Sequence, residues 1–289
     1  GVTIASAKSD ALGSAASVAF ANFDAAIVAA ATDGASDRVA EVLSFTVTPT
    51  GGSTTTTTVT AVAGETSQAL ASRITANVDG LTASASTAVR LSKGSISDAA
   101  ESHTISINGV SIGAITQGAD DTAFGNAVAA GIATKTALAG LTVTTDANGA
   151  TITDATGADI KVEITAQSAA ADDMLVEAMQ ADGNLTGDAG IATLELDAAG
   201  EATVVSGDIT FTTNEPTTTV FTVASSNTAA GSVMNDSSND NAEAGVVTAS
   251  TDKVSTMTID TVANANTAIQ VIDSAIATIS SQRADLGAT

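Results

Sequence analysis

Apolar and polar residues alternate with a period of two along much of this chain, and the pattern changes to a helical period in a few places. Two middle segments share one order: two strand-like runs, a helix-like run, a Gly-Leu pair and another strand. The first segment comprises 43–48, 59–62, 68–78 and the strand after Gly80-Leu81. The second comprises 104–107, 110–115, 123–139 and 141–145. Each segment is therefore predicted to fold as a helix lying on a small sheet.

Turn and capping residues support this prediction. Asn108-Gly109 separates two apolar runs, and this pair is typical of a two-residue hairpin because both residues tolerate a positive φ. The pairs Thr66-Ser67 and Asp120-Asp121 stand just before the two helix-like runs, where a side-chain oxygen caps free backbone N–H groups. We expect one residue of each pair to serve as the N-cap.

The chain beyond the second segment is predicted to be mostly β. Asp172 to Ala181 is a candidate short helix, and three later runs alternate with period two. Those runs are 192–196, 208–212 and 218–223. The polar stretch from Ser225 to Ala244 is expected to form a long solvated loop.

The last 28 residues follow a different pattern. Their apolar residues recur at alternating spacings of three and four, which is the heptad pattern of a coiled coil. These positions are Val262, Ala265, Ile269, Ile272, Ile276, Ile279 and Leu286, with Arg283 interrupting the row. We predict one helix over 262–286 that packs through this row against another helix.

Charge narrows the range of partners. Nine Lys and Arg residues oppose 32 Asp and Glu residues, which gives a net charge of −23. Between Lys161 and Lys253 there are fifteen acidic residues and no basic one. Such a surface repels phosphate backbones and anionic lipids, so nucleic acid and membranes are not expected as partners. No stretch reaches the roughly 18 to 20 apolar residues of a membrane-spanning helix.

Candidate chemistry is sparse. The chain has no cysteine and one histidine, His103, which is expected to be a surface residue at a strand edge. Asp120-Asp121 and Asp172-Asp173 could bind a cation, but each pair precedes a predicted helix and is better explained by capping. We therefore expect no catalytic residue, no cofactor and no metal. Thr54 to Thr58 is either an exposed strand edge or an acceptor for O-linked sugar.

The segment from Thr261 to Ala288 resembles the carboxy-terminal core helix of bacterial flagellins, most specifically over Ser281-Gln-Arg-Ala-Asp-Leu-Gly-Ala288. Thr104 to Ile112 is similar to the hook-type repeat found in the outer domains of that family. Together these matches cover about an eighth of the chain. The resemblance implies a non-enzymatic subunit of the flagellar filament, exported through the flagellar channel to the cell exterior. It also implies a truncated chain whose partners are other flagellin subunits and absent amino-terminal core helices, with host or surface receptors as further candidates.

The predicted fold class is α+β and predominantly β, with small β-rich outer domains, short packed helices and a long carboxy-terminal helix of the coiled-coil type. Five regions are predicted: a partial repeat or connection at 1–37, outer units at 38–100 and 101–170, a β-rich return at 171–258, and a truncated core helix at 259–289. The rival hypothesis is an extracellular adhesin or surface-binding module built on the outer units.

Overall fold

A computed structural model supplies the structure of the chain. It describes residues 16–20, 23, 27–28, 34–48, 53–94, 102–116, 118–165, 173–179, 191–195, 201–213, 219–227, 231–234, 242–249, 254–255 and 257–260. Near the carboxyl end it describes nine further residues, at 268–269, 271–272, 275–276, 279–280 and 283.

The described residues form fifteen strands and two α-helices. The first part of the chain contains β1 (Ala16–Phe20), β2 (Glu41–Thr48), β3 (Thr55–Ala61), α1 (Ser67–Asn77) and β4 (Thr82–Ser92). The middle part contains β5 (Ser102–Ile107), β6 (Val110–Thr116), α2 (Asp121–Ala133), β7 (Leu141–Asp146), β8 (Gly149–Asp154) and β9 (Ile160–Thr165). The last part contains β10 (Asp173–Met179), β11 (Ile191–Glu195), β12 (Glu201–Val205), β13 (Asp208–Thr213), β14 (Val220–Ser225) and β15 (Ala242–Ala249).

Local chemistry explains where the helices and the hairpin between β5 and β6 begin. Thr66 and Asp120 cap α1 and α2, accepting hydrogen bonds from Ala69 N at 3.2 Å and Ala123 N at 2.8 Å. Asn108 and Gly109 have φ values of 51° and 73° between β5 and β6, as a two-residue hairpin requires. The predicted caps and hairpin are confirmed. The second helix ends at Ala133, and a 3-10 turn follows it at Thr136–Leu138.

Two hydrophobic cores share strand β4. Residues 82–86 of this strand pair with β13, while residues 87–91 pair with β8 and residues 88–92 with β10. One sheet follows the order β11-β10-β4-β13-β1-β15-β14-β2-β3, with β8 and β7 branching from β4. The other sheet has the order β12-β9-β5-β6. The described residues therefore form one β-rich body in which strand β4 contributes to both cores.

Each core is organised around one helix. The first core packs Leu70 and Ile74 of α1 against inward-facing strand residues that include Phe45 and Phe211. The second core packs Phe124, Val128 and Ile132 of α2 in the same way. In the described residues, strands from both ends of the chain complete the first core, since Val18 of β1 and Val223 of β14 belong to it. The predicted domain boundaries stay predictions.

The predicted fold class is wrong in one respect. The structure is mostly β, and the part it describes contains two short α-helices and no long carboxy-terminal helix of the coiled-coil type. The described residues at 268–269, 271–272, 275–276, 279–280 and 283 are all helical, but they do not establish a helix of the predicted length over 262–286. The physical reason is that a heptad row specifies packing against a partner, and an isolated amphipathic helix gains most of its stability from that packing.

Two further predictions were wrong. The candidate helix 172–181 contains strand β10, which lies between β4 and β11, and a short apolar run does not distinguish the two possibilities by its period. The buried Glu177 of this strand is paired with Arg90, since its Oε2 accepts a hydrogen bond from Arg90 Nε at 2.6 Å. This hydrogen bond raises the pKa of Arg90. The predicted loop 225–244 is irregular at the described residues 226–227 and 231–234, but its expected exposure to solvent was wrong at Ser232, Val233 and Met234, which are at most 1% exposed.

Candidate assembly surface

Exposed isoleucines concentrate near the carboxyl end of the chain. Ile269, Ile272, Ile276 and Ile279 are between 38% and 58% exposed, and Ile259 is 77% exposed. All eleven other isoleucines whose burial the structure describes are buried. Isoleucine is among the residues most often buried in proteins, so this difference within one chain marks the segment as unusual.

The four exposed isoleucines between 269 and 279, here called the isoleucine row, lie on one side of a helical segment. All four adopt helical conformation at successive spacings of three, four and three residues, and such spacings place side chains on one face. Ala268, Val271 and Ala275 precede members of the row by one residue and are buried. The smaller side chains thus face the protein and the larger ones face outward.

The row contains four of the seven positions that the heptad pattern singled out. Val262, Ala265 and Leu286 lie outside the described residues. Arg283 is helical and exposed. Contiguous exposed apolar side chains commonly mark a protein-protein interface, and this arrangement can therefore bind an apolar helix or groove.

No protein-family model and no curated protein matches this chain.

The residues considered for chemistry do not come together in a site. His103 is 1% exposed and lies in β5, an inner strand of its sheet, so its predicted surface position at a strand edge was wrong. Asp121 Oδ1 accepts a hydrogen bond from Lys93 N at 2.9 Å beside the capping Asp120. Asp173 begins strand β10, so its predicted capping role was wrong.

The described residues show neither a cluster of metal-binding side chains nor a membrane-spanning helix. Among the described residues, no group of three or more His, Cys, Asp or Glu residues is placed to hold a metal ion. The helices in the described part of the chain are all too short or too polar to cross a membrane.

Two buried charged residues were missed by sequence analysis. Arg38 is 2% exposed, and its guanidinium donates from Nε to Glu65 O at 2.9 Å and from Nη2 to Ser67 Oγ at 2.6 Å. Glu41 is 3% exposed and lies three residues later. Both flank the apolar pair Val39-Ala40 in a stretch otherwise poor in basic residues, which is the one signal that could have drawn attention to them.

Glu41 fixes the segment that follows β14. Its Oε2 accepts hydrogen bonds from Ser225 Oγ and from Ser232 Oγ, the latter at 2.8 Å. Its Oε1 accepts from the backbone N–H of Val233 at 2.8 Å. A buried carboxylate with this many donors is well satisfied, so the role of Glu41 is to hold Ser225, Ser232 and Val233 beside β2.

Asp159 shares its surroundings with Arg38. Burial raises the pKa of the Asp159 carboxyl above its usual range, although a hydrogen bond with Ser206 and the nearby Arg38 guanidinium act in the opposite direction. The Ser206 hydroxyl also lies 3.0 Å from that of Ser36. Arg38 and Ser206 are buried and Ser36 and Asp159 are half-buried, so these residues form a largely enclosed polar cluster rather than an open site.

Asp159→Asn is expected to remove a pH-dependent contribution to stability. Because the folded carboxyl keeps its proton to higher pH than the unfolded one, whose pKa is 3.8, the folded state binds more protons in that window. The free energy of unfolding contributed by Asp159 therefore falls as pH rises from the unfolded pKa through the raised folded pKa.

Melting temperatures followed by circular dichroism from acidic to neutral pH would measure this effect. The wild-type value minus the variant value should fall by a few degrees with rising pH and then level off. The exposed Asp79→Asn is the control, for which no such trend is expected. A pH-independent difference for Asp159→Asn would contradict the proposed effect of burial.

Proposed function

We propose that this chain is a structural subunit of the bacterial flagellar filament, of the flagellin type, that works outside the cell by self-assembly and has no catalytic role. The observation that carries the proposal is the isoleucine row. It lies in the segment whose sequence resembles the flagellin core, and its four large apolar side chains are exposed in the single chain. Burying each in a packed interface would contribute roughly 1.5 to 3 kcal/mol.

Other subunits of the same filament are the proposed partners of this row, together with the amino-terminal core helices that the resemblance implies. The β-rich part of the chain that surrounds the two cores would then lie on the outer surface of the filament. The net charge of −23 supports this placement because an acidic surface stays soluble at high protein density. We further propose that the chain reaches the cell exterior through the flagellar channel.

Immunogold labelling tests the function in cells that express the chain. Antibodies against the purified protein are expected to decorate filaments along their whole length, and deletion of the gene is expected to abolish swimming. A matched strain carrying the reintroduced gene should regain both. Labelling of the cell body with normal motility would instead favour an adhesin and would refute the filament role.

A further inference from the structure

Strand β3 is the last strand of the larger sheet. It lacks the features that usually prevent edge strands from pairing with other chains. Its described strand partner is β2 alone, through seven residue pairs from Glu41↔Ala61 to Val47↔Thr55. The sequence of β3 is TTTTVTA, without charge, proline or glycine. An edge strand presents a row of backbone N–H and C=O groups, which proteins normally protect with charges, bulges or short length.

The other edge strands among the described residues carry such protection. Strand β6 has a register shift where it pairs with Ile105 and Ser106. Strand β7 ends in Asp146, β11 ends in Glu195, and β12 begins with Glu201. Since the same protein places charged residues in other edge strands, a general lack of charged residues does not explain why β3 has none.

The edge is also held in a fixed shape. Val59 and Ala61 are 3% and 0% exposed and anchor the inward side of β3 in the first core. On the outward side, the hydroxyls of Thr46 and Thr56 lie 3.0 Å apart, and those of Thr48 and Thr54 lie 3.2 Å apart. Since the strand is already ordered, little conformational entropy is lost when a further strand pairs with it.

We propose that β3 binds β3 of a second copy of this chain, in antiparallel orientation, across a two-fold axis. Charge restricts where two copies can meet. Two molecules that each carry a charge of −23 repel over most of their surfaces, whereas β3 and the outward residues of β2 beside it, Ser44, Thr46 and Thr48, are uncharged. This inference goes beyond the filament role and does not depend on it.

The contact is small. A seven-residue strand is about 24 Å long and one strand is about 4.8 Å wide, so the pairing covers far less than the roughly 800 Å² per partner of a stable complex. The pairing is therefore weak in dilute solution. It becomes effective where copies are held close together, because tethering raises the effective concentration.

Symmetry sets the register. A two-fold axis perpendicular to the sheet keeps outward side chains on the outward face of both copies. The residue at the axis must therefore lie opposite the same residue of the second copy. The central residue of Thr55–Ala61 is Thr58, which is exposed. Directly opposed residues of antiparallel strands have Cβ atoms about 4.5 to 5.5 Å apart, and a disulfide requires about 3.5 to 4.5 Å.

Single-cysteine variants test the pairing, since the chain has no cysteine of its own. Purified Thr58→Cys, in a glutathione redox buffer at high protein concentration, is expected to form disulfide-linked dimers about tenfold faster than Thr210→Cys. Thr210 is an exposed threonine on the inner strand β13 and serves as the matched control. Adding Thr56→Lys and Thr60→Lys to Thr58→Cys should reduce dimer formation to the control rate, because like charges then meet across the axis.

Two outcomes would overturn the proposal. The first is equal rates for Thr58→Cys and Thr210→Cys when circular dichroism shows both variants folded. The second is that purified Thr58→Cys forms dimers no faster than Thr210→Cys, while in cells the same variant becomes disulfide-linked to a different protein. That result would show that the edge binds a strand of another protein. Because no filament is needed, failure here leaves the filament role untouched.

Discussion

Replacing Ile272 and Ile276 together by Asp is expected to abolish incorporation into filaments while leaving the fold of the single chain intact. The two side chains are 40% and 57% exposed, so the charges meet solvent in the free protein. In the proposed interface, each substitution removes roughly 1.5 to 3 kcal/mol of apolar burial and places a carboxylate in an apolar contact. The expected loss of several kcal/mol per subunit would repeat along the whole filament.

The measurement compares filament yield in cells with the melting temperature of the purified chain. Val42→Asp with Val220→Asp is the matched control, because those valines are 38% and 50% exposed on the sheet surface. The control should assemble. Normal filaments from the Ile272→Asp, Ile276→Asp variant would exclude the isoleucine row as an assembly surface.

Glu41→Ala is expected to lower the free energy of unfolding by about 2 to 4 kcal/mol. The substitution leaves the buried N–H of Val233 without its acceptor and leaves a gap beside Ser225 and Ser232. A buried donor that loses its partner costs about 1 to 3 kcal/mol, and the gap adds to this. Against a total stability of about 5 to 15 kcal/mol, the change is large.

Urea unfolding followed by circular dichroism would measure this loss. Glu41→Gln keeps one acceptor oxygen and should lie between the wild type and Glu41→Ala. Glu163→Ala breaks a partly exposed ion pair with Lys161 at 2.7 Å and should cost at most about 1 kcal/mol. Equal losses from Glu41→Ala and Glu163→Ala would contradict the role assigned to Glu41.

Features determined by nearby residues could be predicted from the sequence. The caps at Thr66 and Asp120 and the hairpin at Asn108-Gly109 depend on residues within one turn of chain, and all are confirmed. The run Thr54 to Thr58 was predicted as an exposed strand edge or a sugar acceptor. Thr55 to Thr58 do begin an edge strand, while modification stays a prediction.

Features determined by distant partners could not be predicted. The residues after Asp172 form a strand because β4, some 80 residues earlier, lies beside them. Val233 is buried because Glu41 accepts its N–H across 192 positions of sequence. His103 lies inside its sheet because β9 pairs with the strand's second edge. No local pattern contains these partners.

The candidate site divides in the same way. The heptad spacing singled out the isoleucine row, since spacing is a local property. The orientation of that row could not be predicted, because the burial of Ala268, Val271 and Ala275 depends on the rest of the body. Arg38 and Glu41 were missed for the same reason, since the partners of Arg38 lie 27 and 29 residues further along, at Glu65 and Ser67, and Glu41 accepts from Val233, 192 residues away.

The placement of β4 and β2 in one sheet determines the order in which a growing chain can fold. The strands that connect them are β13, β1, β15 and β14, and three of these come from residues 208–249. A chain that emerges amino end first therefore holds its first core open until residues 208–249 have appeared. Closing contacts between such distant residues is slow. Synthesis and compaction are thereby separated in time, because the first core cannot close before the strands of residues 208–249 have been made.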